Sequence, residues 1–330
     1  MTEEDQNHQT NNGEMPAEEI QAGSELRIRV PASCANLGPG FETLALAVEL
    51  YTIISVKVQA PRKGGDGPEI ITVGPIAGKL PINNTNLIAK VMEQLWSQNK
   101  SMLSCLQVKI ETDIPLDAGL GSSAAATAAA VTATLALTGQ QLEKGKIFEH
   151  TARIEGHADS AAATIFGGFT LCAPNLVPGD VLPRKLMWPE KWSLIAVVPP
   201  YTITGNKSRT ALPASVSHKD AVANVQRAAL LIEAVAAADD EAMKAALRDK
   251  LHEPYRAKFI PELAEIKKLL QDFDVLGSVI SGSGPSVLTI LDGSHKDEVF
   301  AELKKWSDGR KNPCTILELP VDNRGIVIDC

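Results

Sequence analysis

Apolar and polar positions alternate in "ELRIRVPAS", where Leu26, Ile28 and Val30 share one face in the period-2 pattern of a half-buried strand. "YTIISVKVQA" (51–60) repeats that β-rich pattern, and the glycines and proline of "RKGGDGPE" (62–69) predict a turn or loop. The period then changes. Leu87, Val91 and Leu95 recur every four residues in "NTNLIAKVMEQLWSQNK", as on one face of an amphipathic helix. "LQVKIETDIP" predicts a further strand. A helix is expected from Ser122 to about Thr138, ended by Gly139, then another over "LEKGKIFEHTARIEGH" and a glycine-opened strand at "FGGFTLCAP".

Beyond "PEKWSLIAVVPPY" the texture shifts to alternating helical and apolar strand segments, from "KDAVANVQRAALLIEAVAAA" through "VLGSVISGSGPSVLTIL" to "CTILELPVD". No repeat of solenoid period is present. Two α+β halves follow, with a boundary between about 175 and 195, set at 27–185 and 186–330. The first 26 residues are acidic and polar with almost nothing to bury, so a disordered tail is expected there. They lack the basic and apolar regions of a signal peptide, which makes the cytoplasm the expected location.

Composition narrows the function classes. The 330 residues carry 32 basic and 40 acidic side chains, a net charge of −8 without a long basic block, which argues against a nucleic-acid partner. No apolar run reaches the roughly 18 residues of a membrane span. The five cysteines (Cys34, Cys105, Cys172, Cys314, Cys330) are scattered and odd in number, so reduced thiols fit better than a disulfide framework or a zinc site.

Candidate chemistry centres on "PLDAGLGSSAAATAAAV" (115–131), a glycine-rich loop between a strand and a helix. The first turn of a helix has backbone N–H groups without intrahelical partners, and its dipole favours an anion. Gly119 and Gly121 let the backbone approach a polyphosphate, while Ser122 and Ser123 can cap the helix or offer hydroxyls to phosphate or Mg²⁺. A glycine turn capped by serine ahead of a small-residue helix explains the same letters. The loop has no lysine, so it is not a Walker A motif, and it lacks the G-x-G-x-x-G spacing of a dinucleotide fold.

Two further stretches decide between these readings. "VPASCANLGPGFETLALAV" near the start and "SGSGPSVLTI" near the end, taken with "PLDAGLGSSAAA", resemble the three motifs of the GHMP kinases. "EGHADSAAATIFGGF", "LHEPYR" and "VDNRG" are similar to signatures of that family's homoserine kinase branch, in the same order, and the likeness runs from about residue 27 to the C-terminus. The resemblance implies an α+β fold, with an N-terminal ATP-binding domain of the ribosomal S5 domain 2-like type and a ferredoxin-like C-terminal domain. It also implies a left-handed βαβ crossover in the first domain, a rare exception to the usual hand.

The activity it implies is ATP- and Mg²⁺-dependent phosphorylation of L-homoserine to O-phospho-L-homoserine, in threonine biosynthesis. The expected partner is this small-molecule substrate, and relatives are often homodimers. Pro115, Leu116, Asp117, Ala118, Gly119, Leu120, Gly121, Ser122, Ser123, Ala124 and Ala125 are then the loop that holds the ATP phosphates. Asn86 matches a family asparagine near the adenine, although an asparagine at a helix start is as often a cap. Glu149 and Ser123 are the expected Mg²⁺ ligands. Arg209 and Arg256 match the arginines that grip the amino-acid carboxylate, Arg209 also serving catalysis, and a guanidinium fork suits that bidentate task. Asn36, Glu42, His157, Asp159 and Ser160 complete the substrate pocket.

Three of these positions depart from the branch. Glu42 stands in place of its aspartate, Ser160 in place of an asparagine, and Gly205 in place of a threonine that the neighbouring Thr204 can replace. The phosphate loop is intact, so the departures bear on the acceptor: a kinase for another small hydroxylated metabolite such as threonine, or a non-catalytic nucleotide-binding relative, are the alternatives. Some relatives use an aspartate base near the Ser160 position, but the resemblance implies none here and leaves direct attack by the acceptor hydroxyl. Asp159 is a conceivable base, a role the family does not support.

Overall fold

Two sheets divide the chain in the computed structural model, which describes residues 25–62, 66–96, 100–173, 183–203 and 205–329. The first sheet begins with β1 (Glu25–Ala35) and β2 (Leu44–Val58), an antiparallel pair whose register shifts between Pro31 and Ala32. Next come β3 (Glu69–Val73), α1 (Leu87–Leu95) and β4 (Leu106–Thr112); β3 and β4 are parallel, so α1 lies in the crossover between them. Three helices follow, α2 (Ser122–Leu137), α3 (Lys144–Glu155) and α4 (Asp159–Phe166), and then the short strands β5 (Phe169–Leu171) and β6 (Arg184–Leu186).

The Ala/Thr composition of α2 has a packing reason. Ala124, Ala125, Ala128, Ala129, Ala130 and Ala133 are all buried, because the helix is enclosed by α1, α3, α4 and the sheet. A helix apolar on every side belongs in a core, and small side chains let its neighbours approach closely.

The second sheet is antiparallel throughout, in the order β10-β7-β9-β8. It is built from β7 (Trp192–Val198), β8 (Val275–Ile280), β9 (Val287–Asp292) and β10 (Thr315–Glu318). Between β7 and β8 run α5 (Gly205–Thr210), α6 (His218–Ala237), α7 (Asp240–Ala246), α8 (Glu253–Arg256) and α9 (Pro261–Leu269); α10 (Lys296–Asp308) follows β9. Strand β7 is buried on both faces: Ile195 and Val197 join the core under α9 and α10, whereas Leu194 and Ala196 join the larger core continuous with the first sheet. That explains its unbroken apolar run, and it welds the two halves together.

The chain crosses between sheets from Leu186 to Trp192. Its end then returns: β11 (Val327–Asp329) pairs with β1, Glu49 N–H donates to the Pro320 carbonyl, and Gly168 N–H to that of Asp322. The C-terminal end of the chain thus packs on the first sheet. Residues 1–24 of the expected tail lie outside the described residues, while Glu25 and Leu26 already belong to β1.

Candidate active site

The strand-to-helix loop enters α2 through Gly121, which is the N-cap residue in left-handed conformation (φ 72°) and supplies no side-chain cap. Neither Ser122 nor Ser123 takes the capping role, so no side chain caps the first-turn N–H groups, and a helix start of this kind favours an anion. A Cβ on Gly121 would collide with the Ser33 hydroxyl, itself buried without a hydrogen-bond partner. Close approach, as well as positive φ, requires glycine there. Ala118, Leu120 and Ala125 are buried beneath the loop, whereas Asp117, Gly119, Gly121, Ser122, Ser123 and Ala124 line a cavity of about 520 Å³. Pro115 and Leu116 are not part of its wall.

Across the cavity mouth Ser123 Oγ donates to Glu155 Oε1 at 2.9 Å, and Thr127 Oγ1, one turn further along α2, donates to the same oxygen at 2.6 Å. Glu149 is not there. It is exposed on α3 and does not line the cavity, so the assignment of Glu149 beside Ser123 is corrected to Glu155. Helical phase is the reason. The buried face of α3 carries Ile147, Phe148 and Thr151, and Glu155 continues it one turn on; Glu149 stands about 120° away. Gly156, in left-handed conformation, ends the helix directly after Glu155 and turns the chain toward His157 and Asp159.

These two oxygens suit Mg²⁺, which takes hard ligands and is commonly held by one or two carboxylates together with substrate phosphates. Among the described residues no group of three or more His, Cys, Asp or Glu forms a closed metal cage.

The opposite wall is polar and of mixed charge, contributed by Asn36, Glu42, His157, Asp159, Ser160, Arg209 and Arg256. His157 Nδ1 lies 3.5 Å from Asp159 Oδ1, and its Nε2 lies 3.9 Å from Glu155 Oε2. The hydrogen bond to Asp159 raises the imidazole pKa above its ordinary value, against the opposing effect of burial. Asp159 also accepts the Ser160 N–H at 2.7 Å. Asn36 ties two motifs together: its Oδ1 accepts the Glu42 N–H at 3.0 Å, and its Nδ2 donates to the Gly282 carbonyl at 2.7 Å.

Arg256 is buried, and its hydrogen bonds go to the carbonyls of Ser208 (3.4 Å) and Gly282 (3.1 Å) and to the His252 ring (3.3 Å), none to a carboxylate among the described residues. Its guanidinium stands over the Phe41 ring, 5.2 Å from the centroid. Burial lowers its pKa, with the charges of Glu42 and Asp249 opposing that effect. A desolvated cation without an ion-pair partner is costly, and an incoming anion relieves it. Arg209, on α5, is exposed at the rim. Thr204 lies outside the described residues.

The third motif reaches the cavity as a loop of the second sheet. Gly282 and Ser283 line the wall, Gly282 N–H donates to the Ala35 carbonyl (3.0 Å), and Ser281 Oγ donates to that of Gly119 (2.8 Å). All three glycine-rich stretches therefore meet at one point. Asn86 does not join them. It is buried as the N-cap of α1, accepting the Ile88 N–H and donating to the Pro81 carbonyl, which leaves Leu87 to form the wall. Sequence reasoning missed Glu155, Thr127 and Phe41; the phase of α3 carried a signal for the first.

Comparison with known proteins agrees with this geometry. Residues 86–168 match the GHMP kinases N terminal domain, and residues 231–308 match the GHMP kinases C terminal. The homoserine kinase of Desulfitobacterium hafniense is 34% identical over 277 residues, covering 84% of this chain and 90% of that protein. This chain belongs to the GHMP kinase family. As a GHMP kinase it has the two-domain architecture of that family, and it is 33% identical to the homoserine kinase of Clostridium botulinum (strain Langeland) over 92% of this chain and 98% of that one. The crystal structure of homoserine kinase from Cytophaga hutchinsonii shares the fold, with a TM-score of 0.79 at 24% identity over 92% of this chain and 97% of that chain. Among the described residues of this GHMP kinase, no helix is long and apolar enough to cross a membrane.

Proposed function

We propose that this GHMP kinase transfers the γ-phosphoryl group of ATP to the side-chain hydroxyl of L-homoserine, giving ADP and O-phospho-L-homoserine, the precursor of threonine. The observation that carries this reading is Arg256, a buried guanidinium on the cavity wall with no carboxylate bonded to it. It faces an anion-binding helix start across the same cavity. One end suits a polyphosphate and the other the carboxylate of an amino acid, and the relatives named homoserine kinase support the same pairing.

In this reading the uncapped N–H groups at the start of α2 bind the triphosphate, with Gly119 and Gly121 keeping side chains out of the way. Ser123 and Glu155 would hold Mg²⁺, which supplies charge neutralisation on the phosphates. Arg256 and Arg209 take the acceptor carboxylate. Glu42 and Asp159 face its ammonium group, Asn36 and Ser160 offer neutral hydrogen bonds, and His157 lies beside Asp159, whose hydrogen bond raises the imidazole pKa. The acceptor hydroxyl attacks the γ-phosphorus directly as the bond to the β,γ-bridging oxygen breaks and ADP leaves. Its proton passes to an oxygen of the transferred phosphoryl group and from there to solvent. Asp159 already accepts the Ser160 N–H and faces His157, which suits positioning better than proton abstraction. Catalysis then rests on placement and on donors aimed at the transferring group.

An ADP-release assay across homoserine, threonine, serine and mevalonate tests the assignment. Homoserine should give the highest kcat/KM. Preference for threonine would mean that Glu42 and Ser160 have redirected the pocket, and preference for mevalonate would refute the amino-acid reading.

A further inference from the structure

His252 ends the loop before α8 and has no solvent exposure. Both ring nitrogens have partners. Nε2 lies 2.9 Å from the Gly38 carbonyl oxygen, which can only accept; Nδ1 lies 3.3 Å from Arg256 Nη1, which can only donate. The pair of partners dictates one proton, on Nε2, and an unprotonated Nδ1 as acceptor. Burial pushes the ring pKa down to about 4, in accord with a neutral imidazole. A protonated Nδ1 would confront a guanidinium N–H with another donor.

The surroundings hold this ring tightly. Its plane stacks on Phe41 at 5.2 Å between centroids and 22° between planes, and Phe41 also carries the Arg256 guanidinium on its face. Asp249 Oδ2 accepts the N–H groups of both His252 and Glu253 at 2.7 Å, fixing the start of α8. Glu253 Oε1 accepts the Ile280 N–H at 2.6 Å, binding the same turn to the strand that leads into the Gly282 loop. Four-residue α8 is thus bolted to the first motif through Gly38 and to the third through Ile280 and Gly282. At its N-cap, His252 adds a side-chain acceptor to the two carbonyls, of Ser208 and Gly282, that already bind the Arg256 fork.

We propose that His252 is a positioning residue: its neutral ring, anchored on Gly38, holds the Arg256 fork in the orientation that receives the acceptor carboxylate. This rests on the reading of Arg256 as the carboxylate site. His252 does not line the cavity, so its effect would pass through Arg256.

Two conservative variants separate the roles of the two nitrogens. Asparagine can return an acceptor near Nδ1, and glutamine a donor near Nε2. His252→Gln, which loses the acceptor, should raise the KM for homoserine by about tenfold or more, leaving the KM for ATP within about twofold. His252→Asn should stay much closer to the parent protein. In an Arg256→Ala background neither substitution should raise the homoserine KM further, because the effect passes through Arg256. If the glutamine variant does not fold, His252→Phe, which keeps a ring on Phe41 but offers no acceptor, reads the same coupling in both backgrounds.

Equal damage by both variants, joint loss of ATP and homoserine affinity, or additivity with Arg256→Ala would overturn the proposal and leave His252 a packing residue. The parent protein assayed alongside keeps the two readings apart. Absence of homoserine-dependent ADP release there refutes the acceptor assignment itself, whereas normal parent kinetics with additive variants refutes only the positioning role.

Discussion

Ser123 Oγ donates to Glu155 Oε1 at 2.9 Å across 32 residues of sequence, joining the first turn of α2 to the last residue of α3. The contact puts a hydroxyl and a carboxylate beside the uncapped helix start, where a metal-bound polyphosphate would need them. In the proposed function Glu155, rather than Glu149, would hold the cation.

Glu155→Ala should therefore cut turnover by roughly a hundredfold or more, since the charge stabilisation at stake is several kcal/mol. Glu149→Ala should remain within about twofold of the parent protein, because that side chain is exposed on another face of the helix. Turnover measured against Mg²⁺ concentration compares the two variants. The opposite ranking would restore Glu149 to the site.

Loss of the Arg256 guanidinium should act on one substrate. A charge-assisted contact contributes about 1.5–3 kcal/mol, so Arg256→Ala should raise the homoserine KM by roughly ten- to a hundredfold and change that for ATP little. The parent protein should also discriminate strongly against 3-aminopropan-1-ol, which is homoserine without its carboxylate, and the variant should not. Equal effects on both substrates would make Arg256 a structural residue.

These two residues show what sequence could and could not convey. The three glycine-rich stretches and the α2 helix, expected over Ser122 to about Thr138 and found over Ser122–Leu137, were legible because turn glycines and small-residue runs are local signals. Arg256 came from a short motif whose neighbours in sequence are also its neighbours in space. Glu155 depended on the phase of α3 relative to α2, a tertiary fact that only the pattern Ile147, Phe148, Thr151 hinted at. Asn86 had two chemically valid uses, and the cap prevailed once its amide was buried. The return of β11 to β1 was not legible at all, since strand pairing across some 300 residues leaves no periodic trace in either segment.

Gly119 sets the seam between the sheets. A Cβ there would collide with the Ser281 carbonyl oxygen and stand 2.8 Å from that of Gly284, at a φ of +79°. Backbone strain of this kind costs about 1–3 kcal/mol, and about 2–4 °C of Tm accompanies each kcal/mol in a large domain. Gly119→Ala should thus lower Tm by several degrees and turnover with it. A thermal scan showing no change would mean that the third motif is free to move away.

His252 makes the fold acid-sensitive. The unfolded ring would titrate near its ordinary value of 6.5, whereas burial holds the folded one near 4. Between those values the unfolded chain binds a proton that the folded chain refuses, so stability present above pH 6.5 is lost as pH falls toward 4. His252→Asn removes this titration, and its Tm should fall less steeply across that window. Parallel curves would show that the ring is not held neutral.

Glu42 and Ser160 line the same cavity. If they compensate one another, Glu42→Asp and Ser160→Asn should each impair homoserine phosphorylation and the double variant should recover much of the loss, because residues around one ligand are rarely additive. Kinetics with homoserine and threonine read the cycle. Small, additive effects would place both side chains outside contact with the substrate.

The most direct test of a cavity built for a polyphosphate and an amino-acid carboxylate is ADP release by the parent protein with Mg²⁺, ATP and L-homoserine. Saturable, homoserine-dependent release, with no comparable rate on mevalonate, is the expected result. ADP release that is indifferent to homoserine, at the level of the acceptor-free background, would contradict the account.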